Sequence, residues 1–165
     1  HYPLRRQRQM CIRDRCRAEH CMTAFVLDAS VTAAWLLPDA ASEHTRRLYA
    51  LIRRDEVEPQ APNLWHWECH NILATGVNSG RIPAASVEGL WGVLEAIRHR
   101  VELHELAPAQ HKAVLDVALE TGLPTFDAAY LWLARSLRLP LATFDSHQIA
   151  AAQRSGVPLL DLSSL

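Results

Sequence analysis

The stretch 125–145 constrains the fold most, because a helix is followed at once by a strand and each carries an acid at one end. Apolar residues recur at helical spacing after Asp127, which lies in the first turn, where the positive end of a helix favours a carboxylate. Pro140 stops that helix, and the apolar run 139–144 predicts a buried strand of a parallel sheet. Asp145 ends this strand, at the sheet edge where open α/β folds bind ligands.

Strands and helices alternate along the rest of the chain beyond residue 21. Short apolar runs predict strands at 24–27, 57–61, 101–106 and 157–160, and helical periodicity predicts helices at 31–37, 40–54, 62–78, 84–98, 108–121 and 147–154. Ser30 has the side chain of an N-cap for the first helix. Pro59 interrupts the second strand, which favours an edge position. The alternation predicts a three-layer α/β/α sandwich with a mostly parallel sheet of four to five strands.

Length and composition predict one domain in a reducing compartment. A chain of 165 residues with 49% hydrophobic residues suffices for one core and is short for two. No run approaches the roughly 18–20 apolar residues of a membrane span, so we expect a soluble protein. Only Cys69 of the four cysteines lies beyond residue 21, so the domain has no internal disulfide and the cytoplasm is the expected location.

Residues 1–21 differ in composition from the rest of the chain. They carry six Arg against two acids, a net charge of +4, whereas 22–165 carries 11 basic and 16 acidic residues, a net charge of −5. A basic arm that contacts nucleic acid and a Cys/His metal cluster are both conceivable for 1–21. The abrupt change at Met22 favours instead a disordered or non-native leader, followed by a domain that spans 22–165.

Four acids stand out by position in the predicted elements. Asp28 follows the first strand, Glu68 lies inside a largely apolar helix, Asp127 opens a helix and Asp145 follows a strand. Parallel strands bring their carboxyl ends to one edge, so Asp28 and Asp145 can share a site, and Asp127 joins them if its helix enters from that edge. Glu68 could equally be an exposed helix charge. Clustered carboxylates raise one another's pKa unless a cation lies among them. Mg²⁺ or Mn²⁺ takes oxygen ligands and can activate a water, so the pattern predicts metal-dependent hydrolysis of a phosphodiester.

Four segments resemble the PIN domain, and most closely a VapC-type toxin ribonuclease. They are VLDASV at 26–31, the acid-bearing helix after Pro62, TFDAAYLWLA at 125–134 and LATFD at 141–145, in the order typical of that family and over essentially all of 22–160. The resemblance implies a PIN-like fold and identifies the catalytic, metal-binding acids as Asp28, Glu68, Asp127 and Asp145. Thr143 and Ser30 match hydroxyl positions beside that site.

The resemblance also implies a cofactor and partners. It implies Mg²⁺- or Mn²⁺-dependent cleavage of RNA, with transfer RNA and ribosomal RNA both allowed, a homodimer, and inhibition by a VapB-like antitoxin that offers an Arg to the carboxylates. The net charge of −5 in 22–165 does not favour a polyanion. We therefore expect RNA to meet a local basic face, for which Arg46, Arg47, Arg53, Arg54, Arg81 and Arg135 are candidates.

Other residues leave alternatives open. His66 and His70 are spaced by four in HWECH and could bind zinc, but the zincin signature places its Glu directly after the first His. We expect Cys69 to be a small buried thiol. The five Trp residues could stack on bases, or fill the core and a dimer interface. A non-catalytic PIN-like module that binds RNA or protein remains the alternative function.

Overall fold

The computed structural model describes residues 22–164, and the predicted leader at 1–21 lies outside the described residues. The elements are β1 (Thr23–Leu27), α1 (Ala29–Leu36), α2 (Glu43–Arg53), β2 (Val57–Pro62), α3 (Trp65–Asn78), α4 (Val87–Arg98), β3 (Glu102–His104), α5 (Pro108–Thr121), α6 (Thr125–Leu137), β4 (Leu141–Ala142) and α7 (Ser146–Arg154). Short 3₁₀ turns precede α4 and follow residue 161. Between residues 22 and 164, every helix is too short or too polar to cross a membrane.

The four strands form one parallel sheet in the order β3-β2-β1-β4. At the end of β1, Phe25, Val26 and Leu27 are fully buried, as expected for a central strand covered on both faces. Helices α1 to α4 pack against one another, and α5 and α7 pack against α6. The predicted three-layer, PIN-like α/β/α sandwich with a parallel sheet is therefore confirmed.

The strand order reverses next to β1, because β2 and β3 lie on one side of it and β4 lies on the other. Such a reversal leaves a crevice outside the carboxyl ends of the two adjacent strands. Leu27 pairs with Ala142, and the Asp28 N–H donates to the Ala142 carbonyl at 3.0 Å. The residues that follow β1 and β4 therefore emerge side by side at this crevice.

Strand β2 is an interior strand, and the edge position predicted from Pro59 was wrong. β2 pairs with β1 from Val57 onward, but with β3 only from Gln60 onward. At Pro59, therefore, β2 is paired with β1 alone. Pro59 has no N–H to donate, and at this position no second strand requires one, as on an edge strand.

The last predicted strand, 157–160, is reduced to one parallel bridge between Leu159 and Leu141. Leu141 donates to the Pro158 carbonyl, and Leu160 donates to the Leu141 carbonyl, both at 2.9 Å. β4 is also shorter than the predicted run 139–144. Beyond Ala142 the backbone forms hydrogen bonds with side chains and no longer with a neighbouring strand. The Phe144 N–H, for example, donates to the Ser30 hydroxyl at 2.9 Å.

Gly76 marks a close approach between α3 and the turn that follows it. The Ile82 N–H donates to the Gly76 carbonyl at 2.9 Å, and Ile82 is 2% exposed. A Cβ atom at Gly76 would lie 2.5 Å from Ile82 Cδ1 and 2.9 Å from Ile82 Cγ1. A side chain at this position therefore requires the buried Ile82 to move.

We expect Gly76→Ala to lower the free energy of unfolding by about 1–3 kcal/mol, because the added methyl group overpacks against Ile82. Gly92→Ala in α4 is the matched control. Within residues 22–164, no atom outside the adjoining helix backbone lies within 4 Å of the Cβ position at Gly92, so the better helix propensity of Ala should stabilise the protein by up to about 1 kcal/mol. Urea unfolding followed by circular dichroism measures both variants. A Gly76→Ala protein as stable as Gly92→Ala would contradict the close approach.

Candidate active site

Asp28 forms the buried base of the site. It follows β1 directly, is 3% exposed, and caps α1 by accepting a hydrogen bond from the Ser30 N–H at 3.1 Å. Oδ2 also accepts from the Ser30 hydroxyl and from the Thr143 hydroxyl, the latter at 3.0 Å. Oδ1 accepts from Gln148 Nε2 at 3.2 Å. Donors from three segments thus orient this carboxylate.

Ser30 is not the N-cap predicted from sequence, because Asp28 occupies that position and α1 begins at Ala29. The Ser30 hydroxyl lies beside the Thr143 hydroxyl, with their oxygens 3.3 Å apart, and both donate to Asp28. Thr143 also accepts from the Asp145 N–H at 3.0 Å. The two hydroxyls therefore tie the segments after β1 and β4 together, at the positions where they were predicted.

Asp145 caps α7 and does not end a strand, since β4 stops at Ala142. Asp145 Oδ1 accepts from the Gln148 N–H at 2.8 Å, which is the usual bond of an N-cap side chain. Asp145 nevertheless lies near Asp28 at the edge of the sheet, as predicted, because Thr143 contacts both residues. The helix cap fixes where this carboxylate points.

Asp127 lies in the first turn of α6, as predicted, and Oδ1 accepts from Gln148 Nε2 at 3.2 Å. Burial raises the pKa of Asp127, the bond from Gln148 opposes this rise, and the charges of Asp28 and Asp145 add to it. The first turn of α6 therefore brings a third carboxylate to Asp28 and Asp145.

Glu68 lies in the first turn of α3, nearer the helix start than predicted, because α3 begins at Trp65 and not at Pro62. The Tyr130 hydroxyl of α6 donates to Glu68 Oε2. Burial raises the pKa of Glu68 to about 7, the bond from Tyr130 opposes the rise, and the charges of Asp28 and Asp127 add to it. The contact with Tyr130 ties Glu68 to α6, the helix that also carries Asp127.

Gln148 is the site residue that sequence reasoning missed. It is 1% exposed, its Nε2 donates to Asp28 and Asp127, and its backbone N–H donates to Asp145. The spacing of Asp145 and Gln148 is that of a capping box, in which the Gln side chain returns to the N-cap N–H. Here the Asp145 N–H donates to Thr143, which leaves the carboxamide free to reach the acids.

The four acids converge without forming a ready-made metal site. In the part of the chain from 22 to 164, no group of three or more His, Cys, Asp or Glu side chains is arranged to hold a metal ion. Gln148 and Tyr130 donate to the carboxylates instead. The chemistry of the donors still fits Mg²⁺ or Mn²⁺, because all four acids offer hard oxygen atoms. Burial is the main reason that the pKa values of Glu68 and Asp127 are raised, and the charges of the neighbouring acids add to it; a bound cation would oppose both effects.

Little positive charge surrounds the acids. Within residues 22–164, the only basic side chain with a nitrogen within 4 Å of any of the four is His147, whose Nδ1 lies 3.9 Å from Asp145 Oδ1. Of the six arginines suggested for RNA contact, Arg81 pairs with Asp39 and Arg135 pairs with Glu120. The arginines of α2 and the residue after it, at 46, 47, 53 and 54, are exposed. The negative charge of the site is therefore not balanced by neighbouring side chains.

His66 and His70 form part of an aromatic surface cleft. Their rings lie 5.8 Å apart, and His70 also packs on Trp67 and Trp91. This cleft has a volume of about 480 Å³, and none of the four acids lines it. Glu95 also lines the cleft, but within residues 22–164 no group of three or more His, Cys, Asp or Glu side chains is arranged to hold a metal ion, so the structure gives the zinc alternative no support. Cys69 is fully buried, as predicted.

Two solved structures resemble this chain. PAE2754 from Pyrobaculum aerophilum is 28% identical, with a TM-score of 0.59, over 78% of this chain and 79% of that chain. FitAcB from Neisseria gonorrhoeae is 18% identical, with a TM-score of 0.55, over 86% of this chain and 99% of that chain. Both similarities support the PIN-like fold, the second as a likeness of fold alone. No protein-family model matches the chain, and no curated protein matches it.

We expect the metal-free protein to lose stability as the pH rises from about 4.5 to about 7. Glu68 deprotonates near its usual pKa of 4.5 when unfolded but only near 7 when folded, so the folded state binds more protons in this window. Rising pH therefore lowers the free energy of unfolding, by about 1–2 kcal/mol once solvent screening of this half-buried group is allowed for.

Denaturant unfolding in EDTA across this pH range measures the effect as the difference between wild type and Glu68→Gln. The variant should lose this part of the pH dependence. Glu56→Gln removes an exposed acid and should keep the wild-type profile. Parallel profiles for wild type and Glu68→Gln would refute the assignment of the raised pKa to Glu68.

Proposed function

We propose that this protein is a metal-dependent endoribonuclease, the toxin component of a VapBC-type toxin–antitoxin pair. The supporting observation is that Gln148 contacts Asp28, Asp127 and Asp145 near the switch point of a parallel sheet, while Glu68 bonds Tyr130 on the helix that carries Asp127. Asp28 and Asp145 come from the segments after β1 and β4, and Glu68 and Asp127 come from the first turns of α3 and α6. The PIN-like fold supports the same function.

The chain's own residues prepare the site for a cation. When bound, Mg²⁺ or Mn²⁺ supplies an activated water and neutralises charge on the scissile phosphodiester. Asp28, Glu68, Asp127 and Asp145 hold the ion in this proposal. Ser30 and Thr143 orient Asp28, and the N-terminus of α7 orients Asp145. These contacts restrict the directions in which the two carboxylates point.

RNA is the proposed substrate, and the exposed arginines at 46, 47, 53 and 54 are the proposed phosphate contacts. These arginines lie on α2 and just after it, and none of the four acids lies on that helix. Arg81 and Arg135, by contrast, form ion pairs with acids of the same chain. Contacts to phosphates bind RNA regardless of sequence, so they leave transfer RNA and ribosomal RNA equally suitable. Such an enzyme would meet these RNAs in the cytoplasm.

A VapB-like antitoxin is the proposed inhibitor. The acids have no arginine or lysine neighbour within the described residues, and an Arg from a partner would form strong charge-assisted bonds with them. That contact would occupy the carboxylates that a cation needs. Inhibition would then arise from competition for the same oxygen atoms.

A homodimer is the second proposed assembly, and the exposed apolar side chains near α5 support it. Leu115 and Leu119 lie one turn apart on α5 and are 41% and 74% exposed, and Phe126 at the start of α6 is 64% exposed. Since α5 packs against α6, these side chains belong to one helix pair. Burial of such a surface against a second copy is favourable.

We expect Asp28→Asn and Asp127→Asn each to reduce Mn²⁺-dependent RNA cleavage by about 100-fold or more, because each removes a charged metal ligand and keeps the side-chain shape. Asp116→Asn changes an exposed acid of α5 and should cleave like wild type. Cleavage of a fluorogenic RNA by antitoxin-free protein measures the rates, and circular dichroism verifies folding. RNA binding without cleavage, indifferent to metal and to both substitutions, would favour the non-catalytic module.

We expect Leu119→Glu to convert a dimer into a monomer, because the charge would be buried unpaired in the interface. Sedimentation velocity at micromolar concentration measures the mass of each species. Arg47→Glu introduces a glutamate at an exposed position of α2, away from α5, and should leave the dimer intact. A wild-type monomer, or a dimer unchanged by Leu119→Glu, would rule out this interface.

A further inference from the structure

Gln148 contacts more of the acids than any other residue described. Its Nε2 lies 3.2 Å from an oxygen of Asp28 and 3.2 Å from an oxygen of Asp127, and its backbone N–H lies 2.8 Å from an oxygen of Asp145. One NH₂ group therefore bridges two carboxylates. Any cation that binds Asp28 and Asp127 together through these oxygens competes with that NH₂ group.

The other half of the same carboxamide is left without a partner. Gln148 is 1% exposed, and its Oε1 is buried with no hydrogen-bond partner in the described chain. Buried polar oxygen atoms normally find a donor or an ion. The opposite orientation of the amide would aim this oxygen at two carboxylates, so the two negative charges favour the orientation in which NH₂ faces them.

A rotation of the terminal amide exchanges its oxygen and nitrogen while the side chain keeps its shape. The torsion concerned is soft in Gln, and the cap contact with Asp145 holds the backbone in place during the rotation. If Asp28 and Asp127 held a cation, the preference would reverse, because a positive charge repels NH₂ and attracts a carbonyl oxygen. Amide oxygen atoms are ordinary ligands for hard cations.

We propose that Gln148 is an additional oxygen ligand of the cation site, donating to Asp28 and Asp127 without metal and turning Oε1 toward the ion when it binds. This inference rests on the proposed function, since it requires a cation among the acids. Gln148 thus has two roles, one in the metal-free protein and one in the loaded protein. The first keeps the carboxylates together, and the second completes a set of oxygen ligands.

Two substitutions of nearly the same size separate the two roles. Gln148→Leu removes both the donor and the oxygen, so Mn²⁺ should bind about tenfold more weakly. Gln148→Glu offers oxygen atoms only, so Mn²⁺ should bind about tenfold more tightly, while the melting temperature of the metal-free protein should fall because three carboxylates then meet. Gln153→Glu adds the same charge to an exposed position of α7 and should change Mn²⁺ affinity less than twofold.

Isothermal titration with Mn²⁺ at pH 8 gives the dissociation constants, and thermal unfolding in EDTA gives the metal-free stabilities. Addition of Mg²⁺ to ¹⁵N-labelled protein should also shift the side-chain NH₂ resonances of Gln148, identified by their loss in Gln148→Leu. Wild-type binding that Gln148→Leu leaves unchanged, or that Gln148→Glu does not tighten, would overturn this inference alone. Wild-type protein that binds no Mn²⁺ would overturn the proposed function together with it.

Discussion

Repulsion among four carboxylates at a partly buried edge is the constraint around which the site is built. Asp28 is 3% exposed and Glu68 and Asp127 are half-buried, so water screens their charges poorly. Hydrogen-bond donors partly compensate for this charge. Gln148 donates to Asp28 and Asp127, and Tyr130 donates to Glu68. The pKa values of Glu68 and Asp127 are still raised, which shows that burial and the neighbouring charges continue to disfavour their ionised forms.

The sheet explains why that cost is incurred at this place. Strand order reverses at β1, so the ends of β1 and β4 open side by side into one crevice. Glu68 lies in the first turn of α3 and Asp127 in the first turn of α6, and Tyr130 of α6 bonds Glu68. Helix N-termini favour negative charge, so they lower part of the cost of gathering acids there. A bound cation would lower it further.

Other surface features of the described residues carry none of the four acids. They are the exposed arginines on and just after α2, the exposed apolar side chains of α5, and the aromatic cleft beside α3. Under the proposed function, contacts to RNA phosphates would be made by such arginines, while the acids would act on one phosphodiester.

Local sequence pattern predicted the order and type of nearly every element, since helix periodicity, Pro and Gly act over a few residues. It also singled out the four acids as candidates, whereas the family resemblance pointed to the two hydroxyls. It could not determine which strand is central, because the effect of Pro59 depends on where β3 begins to pair. Nor could it identify Gln148, whose carboxamide reaches Asp28 across 120 residues of sequence. Only the tertiary structure decides such contacts, because they depend on how strands and helix starts meet in space. They produce no periodic pattern in the sequence that could predict them.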